Sequence, residues 1–137
     1  MTEVKVRDVK VDPESMVPVV ILEDLAEHTF LPIWIGSNEA LAIVSPMQDL
    51  TYFRPLTHDL LQNILGELKT SVTKVIITEI RGNTFYAVIL LKSRGKDLVI
   101  DSRPSDAIAL AVRVDAPIFV STDLLLKRGI KEGSRFL

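Results

Sequence analysis

Asp101-Ser102-Arg103-Pro104-Ser105-Asp106 places two carboxylates, two hydroxyls and one guanidinium within six residues, between apolar runs on both sides. Leu98-Val99-Ile100 before it reads as a short buried strand, and the Ala- and Ile-rich stretch after it reads as a helix. A strand-to-helix junction aims side chains and unbonded backbone N–H groups into one small volume, which suits an anion. Arg103 carries the fork that holds a phosphate in bidentate fashion, with the Ser105 hydroxyl beside it. Asp101 is a candidate general base or metal ligand, with Asp106 on the first helical turn as its partner. The structural alternative is plain: Asp106 or Ser105 caps the helix, and Arg103 bridges to Asp101.

Arg54-Pro55-Leu56-Thr57-His58-Asp59 repeats that grammar, with Thr57 as the expected cap and Asp59 in the first turn. His58 adds a ring that titrates near neutrality and can move protons, or it is simply exposed at a helix start. Two helix starts, each with an arginine and an aspartate, hold the acids and bases for in-line phosphodiester hydrolysis if they converge. Glu39 after Gly36-Ser37-Asn38 is a third acid at a helix start, where dipole compensation alone explains it. Trp34, between Ile33 and Ile35, faces away from both and offers a stacking platform for a base, or a core or interface residue.

Composition limits the rest. The chain has 137 residues, a length for one domain, and enough to bury roughly two-thirds of its unfolded surface. Its 47% hydrophobic content and net charge of −2 exclude a disordered chain. With no cysteine, thiol catalysis and cysteine-ligated zinc are excluded, and two histidines argue against a multi-histidine metal site. Neither nucleotide-binding glycine motif is present, nor is a serine-hydrolase elbow. No run approaches the roughly 18 apolar residues that span a bilayer, and the charged start is no signal peptide, so a cytoplasmic protein without a membrane partner is expected. Charge is uneven: residues 1–50 hold three Lys/Arg against nine Asp/Glu. The later part is basic, and Lys127, Arg128, Lys131 and Arg135 crowd its end.

The elements that would position these groups follow from periodicity. Residues 3–12 alternate apolar and polar with a slip at Asp8-Val9, a strand with a bulge. Val17–Leu22 and Phe30–Ile35 are further strands, and Pro32 places its position at an edge or bulge. Ala40, Ile43, Val44 and Met47 keep helical spacing, and Pro46 is expected to kink or end the helix. A second helix has Leu60, Leu61, Ile64, Leu65 and Leu68 as its apolar face. Val72–Ile80 and Phe85–Leu91 are strands joined at Arg81-Gly82-Asn83-Thr84. The Pro104 helix, a strand at Pro117–Val120 and a last helical turn after Thr122 complete the chain. The expected fold is α+β, one domain over residues 1–137, built of duplicated β-β-β-α units with a mixed or antiparallel sheet and helices packed on it.

Five blocks in order carry a resemblance: Leu31-Pro32-Ile33-Trp34-Ile35-Gly36 with Glu39-Ala40, Arg54–Leu61, Thr84–Ala87, Ile100–Ala111 and Ala116–Val120. Together they resemble the bifunctional nuclease domain family, whose plant members combine RNase and DNase activity, from about residue 3 to residue 126. The resemblance implies an α+β domain that hydrolyses phosphodiester bonds in RNA and single-stranded DNA. Longer relatives add a C-terminal helical hairpin, and with Leu137 as the last residue that hairpin is expected to be missing or trimmed.

On this reading Asp101 and Asp106, with Asp59 or Glu39, hold a divalent cation (Mg or Mn) or activate water. Arg103 and Arg54, with Ser105 and Thr57, hold phosphate, and His58 shuttles the proton. Nucleic-acid binding is expected to be weak and salt-sensitive because the net charge is acidic. Exposed strand edges and apolar helices point to a homo-oligomer. The rival reading is a non-enzymatic phosphate- or nucleotide-binding module, or a protein-interaction module.

Overall fold

A computed structural model describes residues 1–133, so Arg135 lies outside the described residues. Strands β1 (Thr2–Val11), β2 (Pro18–Asp24) and β3 (Thr29–Trp34) form an antiparallel meander that leads into helix α1 (Ser37–Met47). Helix α2 (Thr57–Glu67) follows. A second antiparallel meander, β4 (Thr70–Arg81), β5 (Thr84–Ser93) and β6 (Lys96–Ser102), then leads into α3 (Pro104–Val114). The chain closes with β7 (Ile118–Val120), α4 (Thr122–Arg128) and β8 (Ile130–Lys131). The expected β-β-β-α order therefore occurs twice.

One mixed eight-stranded sheet has the order β6-β5-β4-β7-β1-β2-β3-β8. The short β7 joins the two meanders, running parallel to β4 and antiparallel to β1. The expected slip in β1 is a register shift between Val6 and Asp8. Pro32 sits where its missing N–H does no harm, because β8 pairs only with Thr29 and Phe30 of β3. The main core gathers Val20, Leu22, Leu31 and Ile33 from one meander and Val75, Ile77 and Ala87 from the other under Ile43 of α1 and Ile108 of α3. Val19, Ile21 and Phe30 form a smaller cluster, partly covered by Ile130.

Two expectations of burial are corrected. Leu98-Val99-Ile100 is not a buried strand: β6 is the outer strand, paired among the described residues only with β5, and Val99 is 64% exposed. The apolar face expected for α2 also stays in solvent, with Leu60, Leu61, Ile64 and Leu68 exposed and His58 the helix's buried residue. Periodicity reports that a face is apolar and not what covers it. Among the described residues, no helix is long and apolar enough to cross a membrane.

Candidate active site

Each of the three longer helices carries a carboxylate at its third residue: Glu39 in α1, Asp59 in α2 and Asp106 in α3. That position faces back over the helix start, where free N–H groups and the dipole favour a negative charge. Pro104 opens α3, where its missing N–H has no helical partner to lose. The residue before it, Arg103, is the extended N-cap and swings its guanidinium back over the first turn.

Arg103 Nε donates to Asp106 Oδ2 at 2.9 Å, and Nη2 donates to Asp106 Oδ1 at 3.2 Å. Its Nη1 lies 3.6 Å from Glu39 Oε2. One cation therefore joins the equivalent acids of the two repeated units. From α2, His58 brings Nε2 to 2.8 Å from Asp106 Oδ1. Burial pushes the Asp106 carboxyl up, but the hydrogen bonds and charges of Arg103 and His58 outweigh it and hold it below the ordinary range. Asp106 in turn raises the Arg103 guanidinium further above its ordinary value. An ionised Asp106 only accepts, so His58 Nε2 donates, and in the neutral ring Nδ1 is left able to take a proton. No described residue hydrogen-bonds to that nitrogen. His58, Asp106, Arg103, Glu39 and Thr57 line one cleft of about 390 Å³.

Asp59 turns the other way, because one residue along a helix rotates the side chain by about 100°. Its Oδ2 accepts the N–H of Leu56, which is the N-cap, so Thr57 is the first helical residue and not the cap. Its Oδ1 accepts Arg113 Nε at 2.8 Å. The Arg113 side chain is only 3% exposed and also donates to the carbonyls of Ala42 and Ala109, so it clamps α1, α2 and α3 together. Arg113 and the Leu56 N–H hold the Asp59 carboxyl below its ordinary value. Sequence reasoning misses Arg113; the available signal is a lone cation closing an otherwise apolar helix.

The remaining candidates are dispersed. Arg54 lines a separate cavity with Asp59 and Arg113, so the two arginines of the Arg-Pro segments do not share one cleft, although Thr57 and His58 do meet Arg103 and Asp106. Ser105 is buried and borders the depression on the far side of Arg103. Asp101 is exposed on β6 opposite Val88, whereas its neighbours Ile100 and Ser102 pair with Ile89 and Ala87 of the core face. Strand alternation thus turns Asp101 away from α3. Asp101, Asp106 and Glu39 do not meet as one donor set, and among the described residues no three His, Cys, Asp or Glu side chains gather into a metal-holding group. As arranged, these residues do not fit the expected divalent cation, since Arg103 occupies both Glu39 and Asp106.

The model of the bifunctional nuclease domain matches residues 20–133. The chain belongs to that family. It is 36% identical over 130 residues to an uncharacterized protein of Mycobacterium tuberculosis, covering 95% of this chain and 77% of the relative. It is 25% identical over 116 residues to Bifunctional nuclease 1 of Oryza sativa subsp. japonica, covering 82% of this chain and 35% of the rice protein. Bifunctional nuclease 2 of Arabidopsis thaliana is 28% identical over 122 residues, covering 87% of this chain and 36% of the relative. The domain thus spans about a third of each plant protein.

Proposed function

We propose that this bifunctional nuclease domain hydrolyses phosphodiester bonds in RNA and single-stranded DNA at the cleft between α2 and α3. The observation that carries the proposal is the 2.8 Å bond from His58 to Asp106 beside Arg103 in a solvent-open cleft. His58 Nδ1 takes a proton from water as the water oxygen attacks phosphorus. Asp106 fixes the ring and balances the imidazolium that forms. The bond from phosphorus to the leaving sugar oxygen breaks, and that oxygen takes a proton from solvent. Arg103, two-thirds exposed at its side chain, has N–H groups to spare for the charge that builds on phosphate. Two carboxylates beside it keep the affinity low and sensitive to salt. A water nucleophile needs no 2′-hydroxyl, so one mechanism serves both nucleic acids. The proposal includes self-association, for which the support is the apolar, unpaired outer edge of β6.

The test is cleavage of labelled single-stranded RNA and DNA by purified protein in Mg²⁺, Mn²⁺ or EDTA. Asp106→Asn and His58→Ala should each lower the rate about 10²–10⁴-fold while circular dichroism reports an intact fold. Asp101→Asn should leave the rate within a factor of about two. Equal rates in wild type and Asp106→Asn would remove the cleft from the chemistry.

A further inference from the structure

A second cavity of about 310 Å³ lies beside the cleft and shares Arg103 and Glu39 with it. It is bounded by the starts of α1 and α3 and by the β4–β5 turn. Ile35, Phe85 and Pro104 give it apolar wall, and a few polar groups stand among them, the usual make-up of a small-ligand pocket. Two of those polar groups say what the ligand must offer.

Ser105 is only 6% exposed, yet no described residue hydrogen-bonds to its hydroxyl. A buried hydroxyl without a partner is costly, and an acceptor on a ligand removes that cost. The helical ladder of α3 begins with the Ala107 N–H bonded to the Arg103 carbonyl, so the Ser105 N–H is open as well. Glu39 has the reverse need. Its Oε2 faces Arg103 at 3.6 Å, and no described residue donates to Oε1. Oε1 lies against Gly36 in space that a Cβ there would fill. Each carboxylate oxygen has two lone pairs, so Oε2 can keep Arg103 and still accept a second donor. The same charge repels a second phosphate and favours a ligand that brings N–H groups.

Among the four bases of RNA, only guanine presents two adjacent donors, N1–H and the 2-amino group, with the O6 acceptor next to them. Adenine and cytosine set an amino group beside a ring-nitrogen lone pair, and uracil sets one N–H between two carbonyls. Each of those patterns turns a lone pair toward one of the Glu39 oxygens.

We propose that this cavity is a guanine pocket: Glu39 accepts N1–H and the 2-amino group, and the Ser105 hydroxyl donates to O6. Because the pocket adjoins Arg103, it directs cleavage to phosphodiester bonds next to guanosine. That consequence rests on the reading of the His58–Asp106 cleft as the hydrolytic site, whereas binding of the base does not.

The test is a titration of nitrogen-15-labelled protein, in EDTA, with the 5′-monophosphates of guanosine, inosine, adenosine, cytidine and uridine, followed by amide NMR signals. The phosphate is common to all five, so the ratio between bases reports on the pocket and not on Arg103. Guanosine monophosphate should shift the Ser105 and Glu39 signals saturably, at least about tenfold tighter than the adenosine, cytidine and uridine compounds. Inosine monophosphate, which lacks the 2-amino group, should fall between. Glu39→Gln turns one acceptor into a donor and should bring guanosine monophosphate to the level of the others. Ser105→Ala should weaken it about three- to tenfold. Equal affinities for all five, with cleavage still lost in Asp106→Asn, would overturn the pocket and leave the hydrolytic cleft standing. A guanine preference at Ser105, with cleavage indifferent to Asp106→Asn, would uphold the pocket and remove the hydrolytic reading. Where both hold, mapping of RNA ends should place most wild-type cuts beside guanosine and scatter them in Glu39→Gln. Uniform cuts by the wild type would overturn the placing of the pocket beside the scissile bond.

Discussion

At the scale of single residues, Asp106 and Asp59 look alike in sequence and are used differently. Both follow an Arg-Pro turn and both are third in their helix, yet Asp106 meets His58 and Arg103 in a cleft while Asp59 meets a buried Arg113. Their shared depression has a consequence for acid stability. A carboxylate whose folded value lies below its unfolded value of 3.8 stabilises the fold fully above that value. That stabilisation is lost as pH falls through the lower, folded value. Thermal unfolding should therefore show a Tm contribution from this pair that is constant above about pH 5 and falls away below about pH 4. Asp59→Asn should start from a lower Tm at neutral pH and decline less steeply in acid. An unchanged acid slope in that variant would mean that other carboxylates dominate. Residue type and spacing make His58, Arg103 and Asp106 legible in the sequence, because helix starts collect anions and their counter-charges. Asp101 is misplaced by the same reasoning because a strand alternates, so adjacency in sequence sends it to the opposite face.

At the scale of elements, periodicity locates nearly every strand and helix, but does not say which faces find partners. The β1 slip and the Pro32 edge position are legible since each is a local backbone constraint. The exposure of α2 and β6 is not, because it depends on what lies beside them in the sheet. The three-helix packing rests on Arg113, whose partners are 71, 54 and four residues away in sequence. Removing its counter-ion should be worse than replacing the arginine itself. Asp59→Ala leaves a guanidinium buried without its charge partner and should cost about 2–4 kcal/mol. Arg113→Met removes the charge, keeps much of the volume and leaves Asp59, 39% exposed at its side chain, to water. It should cost about 1–2 kcal/mol. Urea unfolding of both variants checks the order, and the opposite ranking would mean that the carbonyl bonds, not the ion pair, hold the helices.

At the scale of the whole molecule, two meanders share one sheet and one site. Arg103 of the second unit reaches Glu39 of the first, and the matching position in the first unit is Gly36, which leaves room for the Glu39 carboxylate to fold back. Among the described residues, nothing pairs with the outer edge of β6. If two copies meet there, sedimentation velocity should find a dimer or larger species, and Val99→Lys should convert it to monomer with the fold intact. A monomeric wild type would refute that arrangement. The repeat is legible as an order of elements; its joining by a three-residue strand is not, because Ile118-Phe119-Val120 carries too little sequence to reveal both its neighbours. That late strand also has a temporal consequence. During synthesis from the N-terminus, the β1–β3 meander leaves the ribosome first, then β4–β6, and each carries an inner edge with no partner. Only when residues 118–120 emerge can the two sheets become one. The domain is thus held in two unfinished halves until this strand appears, and ribosome-stalled chains ending before Ile118 should be digested by protease far faster than those carrying Val120 clear of the exit tunnel.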